Sequence, residues 1–223
     1  MKKWLFLACI PFALFGCIKD DFIDDLIEPQ LRITSSIDTL AIGSSYQLEY
    51  VFLDNTGSQK EVDVEWQSSN NNAIAVDANG VISALDFGTT TISASASESG
   101  SIYTDNLYVA AGDNTVIIIE ERFGSIATTS SYALTGSFTM ETEGSGIRID
   151  FADNYAASTA LPGLYVYLSN NPNSIAGAYE IGPVETFLGA HSYTIPDVNI
   201  SDYNYLVYFC APFNVKVGDG TIN

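Results

Sequence analysis

Ile74-Ala75-Val76-Asp77-Ala78-Asn79-Gly80-Val81-Ile82-Ser83-Ala84 decides the fold class of this chain. Two short apolar runs flank Asp-Ala-Asn-Gly, and Asn-Gly is the dipeptide that most readily takes the positive φ angles of a tight hairpin. The same punctuation recurs on either side. Val62, Val64 and Trp66 alternate with Asp63, Glu65 and Gln67, while Leu40 and Ile42 lead into Gly43 and Leu48 and Tyr50 follow it. Alternation of period two with Gly, Asn, Asp and Ser at regular intervals is the pattern of half-buried strands in a β-sandwich.

The pattern pauses around Ala110-Ala111-Gly112-Asp113-Asn114 and restarts at Val116-Ile117-Ile118-Ile119, which predicts a boundary and a second module. There, Phe138 and Met140 are joined to Ile147, Ile149 and Phe151 through Glu143-Gly144-Ser145-Gly146, a hairpin turn. That glycine pair opens no helix and carries no Walker lysine, so it is not a phosphate loop. Leu164, Val166 and Leu168 alternate with Tyr165 and Tyr167, and Leu206, Tyr208 and Cys210 with Val207 and Phe209, as core strands do. The expected fold is all-β, a β-sandwich followed by a second small antiparallel sandwich or barrel-like domain.

Composition agrees, since 47% hydrophobic and only 16% charged residues describe a chain that buries a core. A formal net charge of −19 repels phosphate backbones and argues against a nucleic-acid partner.

The first 16 residues read as an export signal: Lys2-Lys3, an apolar run from Trp4 to Phe15, and Gly16 before Cys17. The run is about a dozen residues, short of the roughly 20 that a membrane-spanning helix needs. Leu14-Phe15-Gly16-Cys17 resembles the bacterial lipobox, which implies cleavage before Cys17 and acylation of that residue. Lys19-Asp20-Asp21 is similar to the export signal that sends lipoproteins of one Gram-negative phylum to the cell exterior, which implies an outer-membrane lipoprotein exposed on the surface. Several acyl chains, each methylene contributing about 0.8 kcal/mol on burial, would anchor it to the membrane. Residues 17 to 30 then form a lipidated acidic tether.

Thr39-Leu40-Ala41-Ile42-Gly43, Val64-Glu65-Trp66-Gln67-Ser68-Ser69-Asn70, Val76 to Ala84 and Gly88-Thr89-Thr90-Thr91-Ile92 together resemble the bacterial Ig-like domain, group two, over residues 31 to 112. The resemblance implies an Ig-like sandwich used in adhesins and as a spacer, with Trp66 in its core. Residues 116 to 223 resemble the DM-thirteen (electron-transfer DM) domain through Leu161 to Ser169, Gly189 to Pro196 and Tyr208-Phe209-Cys210-Ala211-Pro212-Phe213. That family is a β domain with a characteristic cysteine near its end, for which a redox or cofactor role has been proposed, and Cys210 holds the matching position.

With Cys17 acylated and Cys9 removed in the leader, Cys210 is the mature chain's thiol, so no internal disulfide forms. A redox or cofactor role, with haem or a metal at Cys210, would rest on Cys210 with His191 as the imidazole available to help. Cys210 instead reads as a core thiol, because Tyr208, Phe209, Pro212 and Phe213 surround it with apolar bulk and no cation. No zinc-site spacing accompanies His191 and no nucleophile elbow frames a serine, so no catalytic residue is assigned. The expected function is a non-catalytic cell-surface lipoprotein whose Ig-like spacer presents a DM-thirteen binding or adhesion domain. The alternatives are a redox accessory protein using Cys210 and a glycan-binding lipoprotein that stacks sugars on Tyr155, Tyr165, Tyr167, Tyr193, Tyr203 and Tyr205. A surface protein or a glycan is the expected partner.

Overall fold

In a computed structural model, residues 26–118 and 121–223 are described. The strands in chain order are β1 (Gln30–Ile33), β2 (Ile37–Ala41), β3 (Ser45–Gln47), β4 (Tyr50–Leu53), β5 (Val64–Ser68), β6 (Ile74–Val76), β7 (Val81–Ala84), β8 (Gly88–Glu98), β9 (Ser101–Gly112), β10 (Val116–Ile117), β11 (Glu121–Thr128), β12 (Leu134–Glu143), β13 (Gly146–Phe151), β14 (Ala156–Ala157), β15 (Leu164–Ser169), β16 (Tyr179–Pro183), β17 (His191–Ile195), β18 (Tyr205–Cys210) and β19 (Val215–Ile222). A single 3-10 turn, Ala211–Phe213, is the helical element among the described residues. The all-β expectation holds.

The first module is an Ig-like sandwich. One sheet runs β10-β2-β9-β8-β5, with β2 parallel to β9, and the sheets β3-β7-β6 and β1-β4 complete it. Alternation along β8 sends Thr90, Ile92, Ala94 and Ala96 inward, where Ile92 meets Ile37, Leu40, Leu48, Ile74, Ile82 and Val109. Trp66 packs on this core and on the neighbouring cluster around Phe52, edge to face with Tyr50 at 6.0 Å. The hairpin at Asp77 closes as expected. Asp77 Oδ1 accepts from the amides of Asn79 and Val81, and Gly80 sits at φ +81°. A side chain at Gly80 would also come within 2.9 Å of the Trp66 ring, so the glycine serves both the turn and the core.

Val116 restarts the apolar pattern, but β10 pairs with β2 of the first sheet, and the Ile118 amide donates to Ser36 O. The chain thus adds an edge strand to the first module before it enters the second. There, a sheet in the order β16-β15-β18-β19-β11-β12-β13-β17, with β14 on β12, curls into a nearly closed barrel-like form. Glu143 pairs with Gly146 across the turn expected there. Phe138, Met140, Ile149, Phe151, Val166, Leu168, Leu206, Tyr208 and Val217 point into one core. At about 25 cal/mol per Å² of apolar surface removed from water, burial of this kind is the dominant stabilising contribution.

Candidate functional site

Cys17, Lys19, Asp20 and Asp21 lie outside the described residues. Cys210 ends β18 facing inward, 0% exposed, with Sγ 3.5 Å from Pro162 O. Its strand neighbours on that face, Tyr208 and Leu206, are equally buried.

His191 opens β17, at the opposite end of the sheet order from β15 and β16. Nδ1 lies 3.0 Å from Gly189 O, a geometry that places the proton on Nδ1 when the ring is neutral. The ring stacks on Phe151 at 4.7 Å and 10° and meets Tyr155 edge to face at 4.4 Å. Its environment is thus an aromatic cluster, in which Nε2 and the hydroxyls of Tyr155 and Tyr208 are buried without a hydrogen bond of good geometry. Burial raises the Tyr155 hydroxyl to about 12, with Tyr208 acting on it in the opposite sense, and drives Tyr208 well above the ordinary tyrosine value.

Haem or a metal at Cys210 does not fit these surroundings. The thiol fills the core against a backbone carbonyl, while His191 lies against Gly189 O and stacks on Phe151, so each has its own hydrogen-bond partner and none joins the two. Among the described residues no group of three or more His, Cys, Asp and Glu is placed to hold a metal ion. The tyrosines named for sugar stacking are enclosed to different degrees. Tyr155 and Tyr167 are buried and Tyr165, Tyr193, Tyr203 and Tyr205 are half-buried.

The open surface of the second module lies elsewhere, on the outer side of β19, β11, β12 and β13. A groove of about 700 Å³ runs over it. Strand pairing sets its rows: Phe123 stands opposite Thr139, which stands opposite Asp150, and beside them Thr221, Ser125 and Ser137 align. Gly124, between Phe123 and Ser125, lets the Phe138 ring and the β19 backbone close up beneath, since a Cβ there would collide with Thr221 O and Phe138. Phe123 is 60% exposed, a large apolar ring in a row of hydroxyls. Arg148 Nε and Nη2 donate to Asp150 Oδ1 at 3.0 and 2.9 Å, so the groove's carboxylate carries its own counter-charge. An exposed phenylalanine is a weak signal in sequence, and only the strand register reveals the polar row around it.

The two modules also share a seam. Arg32 of β1 donates to Asn204 Oδ1 at 2.7 Å, to Asp202 O at 3.0 Å and to Asn170 Oδ1 at 3.2 Å. Arg122 of β11 donates to the carbonyls of Ile200, Tyr203 and Ile222, and reaches the same Asn204 oxygen at 3.5 Å. Burial, and then the neighbouring Arg122, pull the Arg32 guanidinium below its ordinary value, opposed by Asp202 and Asp105. Asn171 Nδ2 donates to Thr56 O at 3.1 Å, Ser201 Oγ to Thr34 O at 3.0 Å, and the Gly57 backbone packs directly on Asn171. Arg122 braces the second-module side of this seam, and Arg32, which crosses it, was not legible in the sequence as an interface residue because its partners lie 138 or more positions away.

Comparison with known proteins places residues 29–104 in a match to the family model described as Bacterial Ig-like domain (group 2). The span contains every strand of the first module from β1 to β8 and the first part of β9, in agreement with the resemblance carried by Trp66 and the Asn79-Gly80 hairpin. No curated protein matches the chain.

Proposed function

We propose that this protein is a non-catalytic, lipid-anchored surface protein in which the Ig-like module is a platform for a ligand-binding C-terminal β domain of the DM-thirteen kind. The observation that carries the reading is the groove over β19, β11, β12 and β13, with Phe123 exposed in a row of hydroxyl side chains. An exposed aromatic ring among convergent polar groups in a concavity is what small-ligand and polymer binding requires. The Arg32 seam supports the platform role, because it fixes the groove relative to the module that follows the tether. The anchor and outward address rest on Cys17 and Lys19-Asp20-Asp21.

The redox alternative finds less support. A thiolate needs access and a neighbouring cation, and Cys210 is enclosed by apolar groups against Pro162 O.

The binding reading is tested on intact cells with a photo-crosslinking residue in place of Ser125, compared with one in place of Tyr108 on the exposed face of the first module. Adducts at Ser125 and none at Tyr108 are expected. Absence of adducts at Ser125 overturns the groove as the binding face.

A further inference from the structure

The groove's chemistry narrows its ligand, on the premise that it is the binding face. Its strands lie inside the sheet: β11 is paired on both sides by β12 and β19, and β12 by β11 and β13. Their backbone groups are spent on the ladders, so an extended peptide has no edge to join here. Recognition must come from side chains.

Those side chains offer one aromatic face, Phe123, and around it hydroxyls of Ser125, Thr139 and Thr221. Hydroxyls both donate and accept, which suits a ligand that is itself rich in hydroxyls. Asp150 is bonded by Arg148, which also lies 3.9 Å from Glu143, so this arginine is no free cation for an anionic ligand, and the −19 of the whole chain disfavours anionic polymers. Across four strands the floor spans three gaps of ~4.8 Å, about 14 Å, long enough for several linked rings but too shallow to engulf a compact ligand.

We infer that the groove binds an uncharged saccharide chain, with the apolar face of one sugar ring stacked on Phe123 and its hydroxyls bonded by Ser125, Thr139, Thr221 and the Arg148–Asp150 pair. The ring faces that match are hydrocarbon on one side and hydroxyl at the rim, as the groove is.

The test uses the full mature chain carrying Cys17→Ala, titrated by calorimetry and by backbone NMR with defined uncharged oligosaccharides (glucans, mannans, galactans and xylans) and with uronic-acid and sulfated chains. At least one uncharged oligosaccharide is expected to bind and to shift the amides of β11 and β12. Phe123→Ala should weaken it about tenfold, the equivalent of one stacking contact. Ser125→Trp, which fills the groove from an exposed position, should abolish it. Circular dichroism of both variants establishes that they fold, and Tyr108→Ala should leave binding unchanged. Preferential binding of the anionic chains overturns the inference, as does binding that survives both groove substitutions. Protein adducts at the Ser125 crosslinker with no saccharide bound would sink the saccharide and leave the groove as a binding face; silence in both experiments would remove both.

Discussion

At the scale of single residues, the buried polar and titratable groups make the sharpest predictions. Cys210 is fully enclosed, so an alkylating reagent should leave it unmodified in the native protein and label it fully in denaturant. Rapid native labelling would show the thiol accessible after all. The tyrosines set a limit at high pH. Tyr155 and Tyr167 are raised to about 12, chiefly by burial and for Tyr167 also by its bond to Glu180, and burial raises Tyr208 well above the ordinary value. Their folded-state values exceed the unfolded value of about 10, so the stability they confer is complete below pH 10 and lost as pH rises towards 12. The thermal midpoint should therefore hold up to about pH 10 and fall steeply above it, and a flat profile to pH 12 would contradict the assigned burial.

At the scale of elements, strand pairing decides what each glycine and hydroxyl can do. Gly124 faces the core between β12 and β19 with no room for a methyl group, and Gly124→Ala should cost about 2–3 kcal/mol in chemical denaturation. Its neighbour Ser125 faces solvent, so Ser125→Ala should change stability by less than about 0.5 kcal/mol. The contrast between adjacent positions follows from the period-two pleat of β11. Equal effects would mean that the register Gly124 to Phe138 is wrong.

At the scale of the whole molecule, the seam makes two modules into one mechanical unit. Arg32 directs its charge at three acceptors of the second module, and its removal takes the donor from Asn170 Oδ1 and leaves Asn204 Oδ1 with the longer bond from Arg122. Hydrogen bonds from a charged donor contribute about 1.5–3 kcal/mol when one partner is lost. Wild-type protein should unfold in a single calorimetric transition, whereas Arg32→Ala should lower its midpoint and split it in two; two transitions already in the wild type would show the seam too weak to couple the modules. The proposed lipid anchor is tested at this scale as well. Cys17→Ala should move the protein from the membrane fraction to the soluble one, and substitution of Lys19-Asp20-Asp21 should protect it from protease added to intact cells.

The sequence by itself determined the class of structure and its first module. Alternating residues such as those of Val62–Gln67 specify which side of a strand is buried, and Asn79-Gly80 and Gly144-Ser145 specify where the chain reverses, because both signals are local and depend only on the pleat and on φ. Trp66 was legible as core for the same reason. What the tertiary structure alone decided was everything that depends on non-local register. Only the order of the sheet places Phe123, Thr139, Asp150 and Thr221 on one outer face, buries Tyr155 and Tyr167, and gives Cys210 and His191 different hydrogen-bond partners. The Arg32 seam joins residues 138 to 172 positions apart, a distance over which no periodicity in the chain carries information.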